Sequence, residues 1–403
     1  MNYGLSLGPL GSMRSVYYAP EASSTSSDQI TGLCQGEQLA EGARMYLEGM
    51  MGLKSGERVL ITYDTPNQET ALAFERAAKQ KGALVTMYNI DLNGNRFNEA
   101  GVKSILGNIT PQAASFLDKK SFDALSTKAE KGEPFSGLQS KQDVFLNFID
   151  MRPGESAGRI KMVMAEIILG KATGTVRTGH GPGITREMVC LKPDFNAMEI
   201  NANKLLELLK GADKVRITTA KGTDVELAIS GRTPLKDVMI GPGIVGNLPS
   251  GEVYMAPHET KGSGVLIVDG SIGDQIIVPS PMKVVIENGK VISTGWLDPA
   301  FSDPKYLEET QSRLKTDDQA GILGEFGIGL APFPIIGNML QDEKSVGSIH
   351  IAFGNNSPDY PGGQNTSTDH SDFVIQKATV VLSYPKESGK APVTIMSNGQ
   401  FLF

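Results

Sequence analysis

Histidine and cysteine are scarce in this chain, with four and two among 403 residues, and there is a single tryptophan. Cys34 and Cys190 stand far apart and outside any C-x-x-C arrangement. Neither a disulfide framework nor a thiolate zinc site is therefore expected, and any metal would fall to oxygen and nitrogen donors. No apolar run approaches the roughly eighteen residues of a membrane helix. Met1-Asn2-Tyr3-Gly4 also lacks the charged-then-apolar order of a signal peptide, so the expected location is cytoplasmic. The formal net charge of −7 is spread along the chain with no basic stripe, which argues against nucleic acid or an anionic membrane as a partner. No G-x-G-x-x-G follows the first strand, so no dinucleotide is implied. Gly241-Pro242-Gly243 and Gly327-Ile328-Gly329 lack the Lys-Ser/Thr that ends a phosphate loop, and are read as turns and close-packing sites.

What is present suits a globular protein of two domains, since 403 residues exceed one ordinary core. Residues 1–34, rich in Gly, Ser and Ala, read as a loose arm that a partner subunit could order. Over 38–51 apolar residues recur at helical spacing, and Arg58-Val59-Leu60-Ile61-Thr62 follows as a strand. A helix over 69–81 and a strand over 83–88 continue the alternation, which indicates a parallel, Rossmann-like sheet. Helical pieces are expected over 111–117, 121–131 and 158–169, with a buried strand over 144–150. The turn Thr178-Gly179-His180-Gly181-Pro182-Gly183 reads as a joint, although a backbone nest for an anion is a second reading.

Beyond the helix over 201–210 the chain becomes strand-rich. Asn288-Gly289 and Asn398-Gly399 are hairpin turns between apolar runs, and 214–219 with 224–229 forms another hairpin. The fold class expected is α/β: a Rossmann-like α/β domain over 35–212, then a mainly antiparallel, β-rich (α+β) domain over 213–403 with helix only around 303–313.

Every candidate ligand falls in that second domain. His350 lies in the apolar segment Gly347-Ser348-Ile349-His350-Ile351-Ala352-Phe353-Gly354, which reads as a buried strand holding the imidazole on a rigid element. His370 and Asp372 are two residues apart, so extended backbone would put imidazole and carboxylate side by side on one face. Glu325 sits between Leu323-Gly324 and Phe326-Gly327-Ile328-Gly329, where a charge needs a partner or a metal, and Glu252 has a similar setting. His180 and the His258-Glu259 pair are read as structural, the latter as a surface pair.

Gly246-Asn247-Leu248-Pro249-Ser250-Gly251-Glu252-Val253-Tyr254-Met255-Ala256-Pro257 is specific enough to name a family. It resembles the aminopeptidase T and aminopeptidase S family of dinuclear metallo-aminopeptidases. The likeness extends through 52–61, 222–225, Val268-Asp269-Gly270-Ser271-Ile272 and Asn338-Met339-Leu340-Gln341-Asp342-Glu343. By motif, the resemblance implies Glu252, Glu325, His350, His370 and Asp372 as the metal ligands. It also implies two divalent ions (Zn, Co, Mn or Mg), a short peptide substrate and a homodimer. Three carboxylates and two neutral imidazoles set −3 against +4 from such a pair of ions, leaving positive charge to bind and acidify a water. Glu325 is expected to act as general base while also touching a metal. The family's catalytic tyrosine stands seven residues after the first histidine, a position held here by Ser357. Tyr360, three residues on, is the candidate replacement.

The activity expected is exopeptidase cleavage of N-terminal residues. One alternative of the same fold is a ring-cleaving dioxygenase similar to 2,5-dihydroxypyridine dioxygenase, with one Fe(II) on His350, His370 and Asp372. A further alternative is a degenerate member that binds metal or peptide without turnover.

Overall fold

The computed structural model describes residue 34, residues 36–92, 105, 107 and 108, 140–150, 173–273, 277–356 and 360–403. The helices expected over 111–117, 121–131 and 158–169 lie outside these residues, as do Ser357 and nearly all of the N-terminal arm. The fold is mixed, with one parallel sheet and two that are antiparallel in their paired strands. The chain divides into two compact units, one drawing on residues up to 196 with 237–250, the other mainly on 197–236 with 251–403.

In the first unit, α1 (Glu37–Met45) leads to β1 (Arg58–Tyr63), α2 (Gln68–Gln80) and β2 (Leu84–Asn89), in the alternating order that the apolar spacing predicts. With β3 (Val144–Phe148) and β4 (Arg177–His180) these strands form a parallel sheet of order β2-β1-β3-β4, closed by β8 (Val245–Asn247) as its fifth strand. Strands covered on both faces read as continuous apolar runs, and five of the six β1 residues and all of β3 are buried. Phe74 of α2 packs on Phe148 at 4.9 Å between ring centroids and on Tyr46 at 6.2 Å, joining helix to sheet. His180 is buried at the end of β4, and its carbonyl accepts from the Leu248 amide.

The cysteines correct an expectation. Cys34 and Cys190, the last residue of α3 (Arg186–Cys190), are joined by a disulfide with Cα atoms 5.9 Å apart across 156 residues of sequence. Distant spacing excludes a local disulfide motif but not a pairing made by the fold. Such bonds persist in oxidising surroundings and are rare in a reducing cytosol, so the cysteines lend no support to a cytoplasmic location.

The second unit takes most of α4 (Phe195–Leu209) and then β5 (Lys214–Thr218), β6 (Asp224–Ala228) and β7 (Leu235–Asp237). After β8 (Val245–Asn247) come β9 (Glu252–Met255), β10 (Gly262–Val268), β11 (Met282–Glu287) and β12 (Lys290–Trp296). The turn between β11 and β12 has positive φ at both Asn288 (48°) and Gly289 (78°), the conformation an Asn-Gly hairpin supplies. Asp303 caps α5 (Pro304–Arg313), its Oδ1 accepting from the Tyr306 amide at 3.0 Å. Then follow β13 (Leu323–Gly329), a short α6 (Met339–Asp342), β14 (Ser348–Gly354) and β15 (His370–Gln376), with β16 (Thr379–Ser383), β17 (Val393–Ser397) and β18 (Gln400–Phe401) at the end. Helix over 213–403 is thus not confined to 303–313, since α6 adds to it, while α4 covers the helix expected over 201–210. One sheet runs β12-β11-β10-β6-β5-β16-β17-β18, the other β15-β14-β13-β9-β7. No helix among the described residues is long and apolar enough to cross a membrane.

A thiol assay on the denatured, unreduced chain is expected to find no free cysteine. Reduction is expected to lower stability by about 2–5 kcal/mol. One or more free thiols in the freshly isolated protein would contradict the pairing.

Candidate metal centre

Four adjacent antiparallel strands, β9, β13, β14 and β15, build the site from strand parity and register. Gly327 stands opposite both Tyr254 and His350, Gly329 opposite Glu252, and Ala352 opposite both Glu325 and Asp372. Residues directly opposite share a face, so Glu252, Glu325, His350, His370 and Asp372 line one side of the sheet. Small residues between them leave the room. A Cβ on Gly327 would lie 2.0 Å from His350 Nε2, so only glycine lets the imidazole lie across β13.

The five donors form two groups that share one carboxylate. Glu252, Glu325 and His350 each offer a ligand atom within 4.8 Å of the others, and so do Glu325, His370 and Asp372. Glu325 Oε1 is 3.3 Å from His350 Nε2 and its Oε2 is 3.3 Å from His370 Nε2. His350 Nε2 also lies 3.3 Å from Glu252 Oε2, and His370 Nε2 3.6 Å from Asp372 Oδ1. All but the half-buried His370 are buried.

The donor set fits a metal on two observations. Glu252 Oε2 and Asp372 Oδ1 are buried without a hydrogen-bond partner, a costly state for a carboxylate oxygen that a cation would relieve. His370 Nδ1 lies 2.7 Å from the Asn355 carbonyl, which fixes the tautomer with hydrogen on Nδ1 and leaves the Nε2 lone pair toward Glu325 and Asp372. Without a cation the protons adjust instead. Burial works to lower the His350 pKa, but Glu325, Glu252 and Asp372 outweigh it and raise it to about 9. His370 is likewise raised, against its burial, by Asp372 and Glu325. Burial would raise the Glu325 pKa, but the two imidazoles hold it well below the usual carboxylate range.

Two further groups belong to this centre. The phenol of Tyr360 donates to Glu325 Oε2 at 2.7 Å, and its ring packs edge-on against Tyr254 at 5.3 Å and stacks on His370 at 6.2 Å. Burial, then Glu325, pushes its pKa well above the ordinary value. Lys344 is wholly buried, donating to Glu252 Oε1 at 2.8 Å and to Glu343 Oε1. Glu252 therefore keeps only Oε2 open toward the donor group.

The structure thus brings all five residues singled out in the sequence, and Tyr360, to one place. His180 ends a strand of the other unit, and His258 Nε2 lies 2.8 Å from the Ser230 carbonyl. Glu259 is half-buried rather than a free surface charge, being ion-paired with the half-buried Arg232 at 2.6 Å. Lys344 escaped sequence reading. A lysine beside Glu343 in an amphipathic stretch looks solvated, and its only signal is its place just before the apolar strand β14.

The model of the thermophilic metalloprotease family (M29) matches residues 194–401, which contain every donor of the site. The chain belongs to that family. No curated protein matches it. Two solved structures resemble this chain over nearly their whole length. A 2,5-dihydroxypyridine dioxygenase from Pseudomonas putida gives a TM-score of 0.62 at 15% identity, covering 91% of this chain and 98% of its own. AmpT from Thermus thermophilus gives 0.60 at 15% identity, covering 91% and 99%. At such identity the likeness shows the fold.

Gly327→Ala is expected to displace His350 and cost about 10- to 100-fold in affinity for a divalent metal, with the far-ultraviolet circular dichroism retained. Unchanged metal affinity, read by calorimetric titration, would reject this packing. A second expectation concerns pH. His350 has a folded pKa of about 9 against 6.5 when free, so its contribution to the metal-free protein is full below pH 6.5 and is lost as pH rises through about 9. His370 shifts in the same direction. The melting temperature in chelator should therefore fall over that window, while metal affinity rises as the competing protons leave. A metal-free melting temperature that climbs from pH 6.5 to 9 would contradict the assignment.

Proposed function

We propose that this member of the family is an aminopeptidase that removes N-terminal residues from short peptides. The observation that carries the reading is the position of Glu325. Its two oxygens face two separate histidine-carboxylate groups, and one of them also accepts a phenol. Glu252, Glu325, His350, His370 and Asp372 are the residues that would hold divalent ions, which when bound supply the positive charge that acidifies water toward neutrality and polarises a carbonyl.

The chain's own groups do the rest. Glu325, held anionic, accepts the proton of the attacking water and returns it to the leaving amine. Tyr360, kept protonated by burial, donates its hydroxyl hydrogen to the oxyanion that develops on the scissile carbonyl. It would thus act from ten residues past His350, in place of a tyrosine at position 357. Asn355 keeps His370 in the tautomer that presents Nε2. A homodimer, which the family likeness implies, and the lack of nucleic-acid or membrane partners, which the spread negative charge supports, are part of the same reading; so is a cytoplasmic location, against which the Cys34–Cys190 disulfide counts.

One observation favours a second reading, the mononuclear iron dioxygenase. Lys344 already neutralises one oxygen of Glu252, which lessens the need for a cation at that end, although the donors grouped at the other end are His370, Asp372 and Glu325 rather than the His350, His370 and Asp372 expected to hold one Fe(II).

Metal per chain, measured together with amino-acid release from a dipeptide panel, separates the two. Two zinc- or cobalt-class ions with turnover are expected, whereas one iron and no cleavage would overturn the peptidase reading. Because Glu325 belongs to both donor groups, Glu325→Gln would disturb binding and chemistry together. Tyr360→Phe is the cleaner variant: metal content should persist while kcat falls about 10²- to 10³-fold. Unchanged kcat would remove Tyr360 from the mechanism.

A further inference from the structure

Tyr360 is not on a strand. It lies in the connection between β14 and β15, and loops are ordinarily the mobile part of a site. A hydrogen bond that stabilises a transition state must nevertheless be placed within about 0.5 Å, which demands a supporting shell.

The structure shows one. Asn356 and Asn365 close the base of the loop, with Asn356 N donating to Asn365 O at 3.0 Å and Asn365 N to Asn356 Oδ1 at 2.8 Å. Both backbone groups of Tyr360 are engaged, its amide to Asn356 O at 3.3 Å and its carbonyl accepting from Gly363 N at 2.7 Å. The Asn356 side chain donates to Gly324 O at 3.0 Å, tying the loop to the strand that carries Glu325. Its other hydrogen goes to Glu259 Oε1 at 3.1 Å, and the Gln364 amide donates to the same oxygen at 2.8 Å. Glu259 Oε2 is held by Arg232, whose other terminal nitrogen donates to the Gly362 carbonyl. The side chains of Arg232 and Glu259 are only 7% and 13% exposed. The ion pair therefore grips the loop on both sides of its turn, at Asn356 and at 362–364.

We propose that Arg232 and Glu259 are positioning residues for Tyr360: their half-buried pair fixes the 360–365 segment and so sets the phenol on Glu325. The proposal rests on the reading of Tyr360 as the oxyanion donor. Neither residue touches a donor of the metal centre in any bond given above. The competing view is that Tyr254 and His370, which pack on the ring, hold Tyr360 unaided, leaving the ion pair a purely structural feature.

The test labels the full-length, metal-loaded protein with 3-fluorotyrosine and assigns the Tyr360 fluorine line by its loss in Tyr360→Phe. In Glu259→Gln the line is expected to shift or broaden, with metal per chain unchanged. With a dipeptide, kcat should fall about 10- to 100-fold and KM less than threefold. The double variant Glu259→Gln/Tyr360→Phe should be no slower than Tyr360→Phe alone, because the pair acts only through the phenol. An unmoved fluorine line, or losses that multiply in the double variant, would overturn the proposal. If Glu259→Gln leaves Arg232 uncompensated and the protein fails to fold, Arg232→Met/Glu259→Leu removes both charges together and is expected to move the line likewise. A wild-type protein without peptide turnover would defeat the peptidase reading, while the fluorine line would still decide whether the pair positions Tyr360.

Discussion

The centre is organised by the cost of burying Glu325. An ionised carboxylate taken out of water is tolerated only when it is paired and hydrogen-bonded. Glu325 meets that condition through three groups drawn from distant positions: His350 on the next strand, His370 beyond it, and the phenol of Tyr360. Each constrains something else. His350 can approach only because residue 327 is glycine, and His370 presents the correct nitrogen only because the Asn355 carbonyl holds the other. Tyr360 reaches the carboxylate from a loop that Glu259 and Asn356 pin down. A rigid sheet face, a glycine gap and a braced loop are therefore parts of one electrostatic solution.

The same logic explains why the site sits on an antiparallel sheet. Alternation puts every second side chain of a strand on one face, and register aligns them across neighbours, so four strands can deliver donors to one spot without strain. His370 and Asp372 use alternation within β15, while Glu325, Ala352 and Asp372 use register across three strands. The alanine keeps the intervening position low. Burial then sharpens every interaction, because a low-dielectric face strengthens both the attraction within the cluster and the penalty for an unmatched oxygen.

These dependencies also mark what could be read from the chain. The His-x-Asp chelate and the apolar strand around His350 were legible because strand alternation is a local rule, and the Asn-Gly hairpins because turn chemistry is local. The choice of Glu252 and Glu325 came from motif likeness, since a lone glutamate among apolar residues states only that it needs a partner. Lys344, Arg232 and Glu259 were not legible. Each looks like an ordinary charged residue until tertiary packing brings it to a partner 27 to 92 positions away. Cys34 and Cys190, 156 residues apart, were misread for the same reason. The return of 237–250 to the first unit likewise has no signature in composition.

Lys344 makes the two ends of the cluster unequal. A buried lysine beside two carboxylates is itself a compensating charge, and it acts at one end of the cluster only. The Glu252–His350 end therefore starts with part of its negative charge matched, whereas the His370–Asp372 end has none matched by a lysine or arginine in the contacts described. Burial raises the Glu343 pKa to about 8 despite its contact with Lys344. The two donor groups are thus electrostatically unequal although they share Glu325. The His370–Asp372 group therefore carries the larger negative charge unmatched by a lysine or arginine, and a cation would be drawn there first.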